Sequence, residues 1–207
     1  KLQINLSVGT SQGTDWVKNF KSMEDFTLML NWRDEWRKFS ENGYTNSLRM
    51  LDELRQVFPE EHPVIFNLEA WQLDQKLNFG ISENKENDLK RLEYILNKSI
   101  ELDPSMVDTL AARALIGLSH LNRNCEESVA DIKKTEELGS TVDTFTIAMA
   151  VYARCGKSRK GIQAGRNALE LVPNDIGWFI TSNLAIRLYL DGQIDEIYKY
   201  YTSESRL

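Results

Sequence analysis

The sequence predicts an all-α protein in which about five antiparallel helix pairs stack side by side into a curved solenoid. Three observations predict this. Glycine and proline number 11 and 4 in 207 residues, about 7% where average usage gives about 12%, so turns are few and elements long, which disfavours sandwiches and barrels. A short closing phrase recurs: Ser99-Ile-Glu-Leu-Asp-Pro104 returns as Ala168-Leu-Glu-Leu-Val-Pro173, with weaker copies Leu54-Arg-Gln-Val-Phe-Pro59 and Thr135-Glu-Glu-Leu-Gly-Ser140, whose ends lie 45, 36 and 33 residues apart. Between the copies, apolar and small residues fall at helical spacing.

Taken in order, Lys1 to Leu6 reads as the end of a helix and Ser7 to Asp15, with two glycines, as a linker, after which Trp16 and Phe20 dock on the first pair. Residues 1–20 are thus expected to be an extension from an upstream domain, and residues 21–207 the repeat domain. The pairs are predicted at residues 24–40 with 45–57, 63–78 with 87–102, 106–121 with 126–138, 143–155 with 159–171, and 176–190 with 194–203. In the second, Phe66, Ala70 and Leu73 form the packing face, and the polar run Ser82 to Asp88 makes the repeat long. Insertions in repeat arrays often lie on the binding side. The fourth pair has the clearest pattern. Phe145, Met149 and Tyr152 share one helical face, Gly156 stops the helix, and Gly161, Gly165 and Ala168 let the second helix approach closely before Pro173 ends it. In the fifth, Leu184, Ala185 and Leu188 precede the Asp191-Gly192 turn, and Ile194, Ile197, Tyr198 and Tyr201 form the packing face of a terminal unit.

Charge narrows the function classes. Lys plus Arg total 25 against 31 Asp plus Glu, a formal charge of −6 and a pI of about 5.1, which argues against a general nucleic-acid or anionic-membrane binder. No window reaches the ~18 apolar residues of a membrane span, and the first residues lack the order of a signal peptide. Gly156-Lys157-Ser158 imitates the end of a phosphate-binding loop, but Val151 stands where the leading glycine belongs. It reads as a helix-to-helix turn.

His62 and His120 are far apart and have no two-His or Cys-pair spacing, so no metal or cofactor is expected. Both read as surface or capping residues. Cys125 and Cys155 fall in the turns of adjacent repeats, on the same edge of the array. A bridge requires Cα atoms within about 7 Å, which register alone does not guarantee, so bridged and reduced forms both remain open. Trp32, Trp36 and Phe39 lie among Arg33, Arg37 and Lys38, a mixture that can stack nucleobases but more often is core with solvated cations around it.

These features resemble the tetratricopeptide repeat: an aromatic early in the first helix, small residues on the second, a closing proline, and a period near 34 residues. The resemblance implies a right-handed α-superhelix whose concave groove, lined by the first helix of each pair, receives a protein or peptide. In this register the groove candidates are Asn67, Trp71, Asp74 and Gln75, then Ala111 and Leu115, then Thr146, Ala150 and Arg154, and finally Ser182, Asn183, Ile186 and Arg187. Only Asn67, Arg154, Asn183 and Arg187 offer the side chains used by repeats that clamp a C-terminal carboxylate.

A second resemblance is carried by Leu2 to Leu6, Trp16 and Lys21 to Phe26 before the repeats. It is similar to the C-terminal half of bacterial signalling proteins headed by a class III adenylate or guanylate cyclase or a winged-helix DNA-binding domain. That resemblance implies a non-catalytic regulatory module beside an upstream catalytic or DNA-binding domain. The alternative is a stand-alone scaffold for assembling protein complexes.

Overall fold

The computed structural model describes residues 20–172 and 179–201. Among them are ten α-helices: α1 Met23–Trp36, α2 Glu41–Val57, α3 Pro63–Asn78, α4 Lys85–Leu102, α5 Val107–His120, α6 Cys125–Leu138, α7 Val142–Arg154, α8 Ser158–Leu171, α9 Phe179–Leu190 and α10 Ile194–Tyr201. They pair as five antiparallel hairpins, and each hairpin packs on the next. Predicted and observed pairs agree closely except at the first turn. There α1 stops at Trp36 because Phe39 takes a positive φ of 47° and Ser40 caps the next helix, its hydroxyl accepting from Gly43 N–H. Leading polar residues start other helices the same way: Ser22, Asn84, Asn124 and Thr141 each accept from a backbone N–H in the first turn. The connection in the second hairpin, residues 79–84, is the longest within any described hairpin, as expected, but it ends sooner: α4 already begins at Lys85, and the turn is held by Ser82 donating to Asp88, which also pairs with Lys76 at 2.9 Å.

The two helices of a hairpin bury different amounts because they occupy different places. The second helices expose one face and bury a stripe, such as Leu92, Ile95, Leu96 and Ser99 in α4. First helices lie between their own partner and neighbouring hairpins, so α3 buries ten side chains around much of its circumference. The core runs as three clusters along the stack. Phe26, Met29, Trp32, Leu51 and Leu54 join the first hairpin to Val64 and Leu68; Phe66, Ala70, Leu92 and Ile95 meet Ala112 and Ile116; and Ala111 to Leu188 link the last three hairpins. Phe20 sits edge-on to Phe26 and Phe58, with centroids 5.5 and 5.2 Å away; Trp16 and the rest of the predicted extension lie outside the described residues.

Two features correct the sequence reading. Ile194 and Tyr198, expected to pack inward, are 49% and 62% exposed, because no described hairpin follows α10 to cover that side. Tyr201, the fourth member of that face, has no described side chain. His120 closes α5, as expected, but is enclosed rather than on the surface: its Nε2 lies 2.9 Å from Asp74 Oδ1, and its side chain is 13% exposed. His62 does cap α3, its Nδ1 accepting from Val64 N–H, and burial pushes its imidazole pKa below the usual value. Cys125 and Cys155 are bridged, with Cα atoms 5.4 Å apart, tying the start of α6 to the end of α7.

Candidate functional site

First helices face the inside of the curve, and the groove candidates sort by how neighbouring first helices meet. Four are enclosed rather than displayed. Asn67 is buried and its amide donates to Thr109 Oγ1, which shares a hydrogen bond with Ser99; Ser99 in turn donates to the Pro63 carbonyl. Gln75 is fully buried and donates to the Trp36 carbonyl at 2.9 Å. Asp74 is buried between His120 and Asn78, and Ala111 lies in the core. The physical reason is shared: α1 and α5 pack against the flanks of α3, so side chains that helical phase turns toward the axis of the curve meet a neighbouring helix first.

Trp71 is half-buried. Its ring meets Trp36 at 5.3 Å, and its carbonyl accepts from Trp36 Nε1, so it closes the joint between the first two hairpins. The Trp32 and Trp36 rings stack at 6.1 Å, which makes the aromatic run core rather than a nucleobase platform; Phe39 at its end is half exposed.

The wall that stays accessible belongs to the third, fourth and fifth hairpins. Leu115 is partly buried against the core, Thr146 and Ala150 are partly exposed, and Arg154 is exposed and donates to Ser119 of the preceding first helix. Ser182 and Asn183 are half-buried and Ile186 is 54% exposed; Arg187 is partly exposed, with a buried Nε that has no hydrogen-bond partner among the described residues. Among the described residues no group of His, Cys, Asp and Glu side chains is arranged to hold a metal ion, and none of the helices is long and apolar enough to cross a membrane. Gly156 takes a φ of 68° in the α7–α8 turn, as a helix-to-helix turn requires.

One contact joins distant hairpins. Arg37 at the end of α1 pairs with Asp143 in the first turn of α7, and Arg33, one turn earlier, lies 3.9 Å from the other oxygen of the same carboxylate. The contact passes over the second and third hairpins, which requires the array to curve strongly. Sequence reasoning noted the arginines only as solvated neighbours of tryptophans and did not single out Asp143. No local pattern couples positions 106 residues apart, so curvature alone reveals the pair.

No protein-family model and no curated protein sequence matches this chain. Solved structures do. A MamA double mutant (MamA RS-1 ArsTM) aligns at 15% identity over 84% of this chain and 90% of its own, with a TM-score of 0.50. A crystal structure of MamA aligns at 14% identity over 80% of this chain and 89% of its own, with a TM-score of 0.47. The chain folds as a tetratricopeptide-like helical solenoid. At such identities the likeness concerns the fold.

Proposed function

We propose that this chain is a non-catalytic protein-interaction module that receives a peptide segment along the inner wall of its last three hairpins. The observation that carries this reading is a mixed, accessible wall built on packed helices: Leu115, Thr146, Ala150, Arg154, Asn183, Ile186 and Arg187 lie on α5, α7 and α9 with their backbones held by the core beneath. Such a surface combines apolar contact with hydrogen-bonding side chains and needs no reactive group. The enclosed residues Asn67, Asp74 and Gln75 do not contribute to it. Probing an array of random-sequence dodecapeptides with the purified chain tests the reading. Ile186→Glu and Arg154→Glu, both at exposed positions, are expected to lose the peptides the native chain retains while keeping its melting temperature; retention of the same peptides by both variants overturns it.

A regulatory role beside a cyclase-type or winged-helix head is the finer form of this proposal. It is supported by the short run from Leu2 to Leu6 with Trp16 and the segment Lys21 to Phe26. Reading the coding sequence upstream of Lys1 separates it from the stand-alone scaffold: a cyclase or winged-helix domain supports the former, and a start codon a few residues upstream rules it out.

A further inference from the structure

We propose that Arg33 and Arg37 receive an acidic peptide segment of the partner, and that Asp143 occupies this site in the free protein as an internal stand-in. The proposal rests on the interaction-module reading above and names the partner's chemistry.

Comparison with the molecule's other shared carboxylates carries it. Glu69 serves Arg55 and Arg91, and Asp131 serves Arg113 and Arg123; in both clusters each guanidinium has a contact of 3.1 Å or less, and the carboxylate side chains are only 12% and 9% exposed. Those are finished structural joints. At the third, Arg33 reaches its carboxylate only at 3.9 Å, and the Arg33, Arg37 and Asp143 side chains are 28%, 47% and 34% exposed, open to an incoming group. In those two joints Arg55 and Arg123 also reach a further carboxylate, Asp52 and Glu127, whereas among the described residues Arg33 and Arg37 pair with Asp143 alone, which leaves one positive charge uncompensated there on a chain whose formal charge is −6. A second carboxylate is the group that complements a guanidinium left in this state, because the planar fork donates two parallel hydrogen bonds to one acid.

The position suits a peptide. From Asp143 the accessible row on α7 continues through Thr146 and Ala150 to Arg154, eleven residues on, or about 16 Å at the helical rise. An extended peptide of roughly five residues spans that distance. Its acids would meet Arg33 and Arg37 at one end and Arg154 at the other. Displacing Asp143 is easy, because exposed ion pairs contribute little.

The test is fluorescence anisotropy of a fluorescein-labelled decapeptide alternating Glu and Gly, titrated with the full chain at low and at physiological salt. Relative to the native chain, the Arg33→Gln/Arg37→Gln double variant is expected to bind at least roughly tenfold more weakly, the scale of losing a charge-assisted hydrogen bond. Asp143→Asn is expected to bind several-fold more tightly, with a steeper loss on adding salt. Equal affinity of the native chain and Asp143→Asn, or of the native chain and the double variant, overturns the proposal, as does no binding of the acidic peptide at low salt. If the double variant fails to fold, Asp143→Asn decides alone, since it removes no cation. If the array instead returns neutral or basic peptides that depend on Ile186 and Arg154 and are indifferent to Arg33 and Arg37, this proposal falls and the interaction-module reading stands. Retention of no peptide of any composition overturns both.

Discussion

Between the first and second hairpins the joint is aromatic and ionic: Trp36 lies against Trp71, Gln75 donates to the Trp36 carbonyl, and Glu69 holds Arg55 from α2 as well as Arg91 from α4. Between the fourth and fifth it depends on missing atoms. A Cβ on Gly165 would stand 3.0 Å from Leu184 Cδ1 of α9 and 2.8 Å from Met149 Sδ of its own hairpin, whose two helices also close up at Gly161, where a Cβ would meet the Met149 carbonyl oxygen at 2.9 Å. The same stacking step is therefore made in two ways, by large side chains that bridge a gap and by small ones that remove it. The first way tolerates chain separation but depends on every partner being present and charged. The second is indifferent to pH and intolerant of added volume.

The largest expected effect breaks the aromatic joint. Trp71→Ala removes a ring packed on two clusters and is expected to destabilise by about 3 kcal/mol, at the lower end for tryptophan truncation because the side chain is only half-buried. Urea unfolding monitored by circular dichroism measures it, and a loss below about 1 kcal/mol would return Trp71 to the groove wall. Next comes the bridge between the third and fourth hairpins. Replacing Cys125 and Cys155 by serine is expected to cost about 2–4 kcal/mol, since the bond closes a loop across a sequence separation of 30. A melting temperature unchanged by reductant would show that the bond adds nothing to the fold.

Gly165→Leu sharpens the other side of the comparison. It should destabilise by about 1–3 kcal/mol through overpacking, by pushing both Met149 and Leu184. Gly161→Ala adds only one methyl group but should fall within the same range, because the obstructing atom is backbone and the hairpin must widen.

The smallest effect is the pH response of the ionic joint. Burial alone would raise the Glu69 pKa, but hydrogen bonds and charge from Arg91 and Arg55 outweigh it and hold the carboxyl below its ordinary value. A carboxylate whose pKa is lowered by folding stabilises the fold above its unfolded pKa, and that contribution is lost as pH falls through the folded one. Glu69→Gln should flatten the acid limb of a stability–pH curve while leaving stability about 1–2 kcal/mol lower near neutral pH. An acid limb unchanged from the native chain's would assign the pH response to other groups.

Much of the fold was legible because it is written in local pattern. The recurring closing phrase, the helical spacing of Phe145, Met149 and Tyr152, and the small residues at 161, 165 and 168 each specify an interaction within one hairpin or with its neighbour. The misassigned end of α1 has the same local origin, a cap at Ser40 that outcompetes helix propagation through Phe39. The candidate site was less legible. Asn67, Asp74 and Gln75 were placed on the wall by phase alone, and phase does not say how near the adjacent helix comes.

What the sequence by itself determined is the set of elements and their order: ten helices among the described residues, paired across short capped turns and stacked by small or aromatic contacts. Tertiary structure alone decided which inward-facing side chains remain accessible, that Cys125 reaches Cys155, and that Arg33 and Arg37 meet a carboxylate at the start of α7. Helix formation and hairpin pairing depend on residues near in sequence, whereas the curvature of the stack is a sum of small rotations at successive joints, so contacts that span several hairpins exist only in the assembled array.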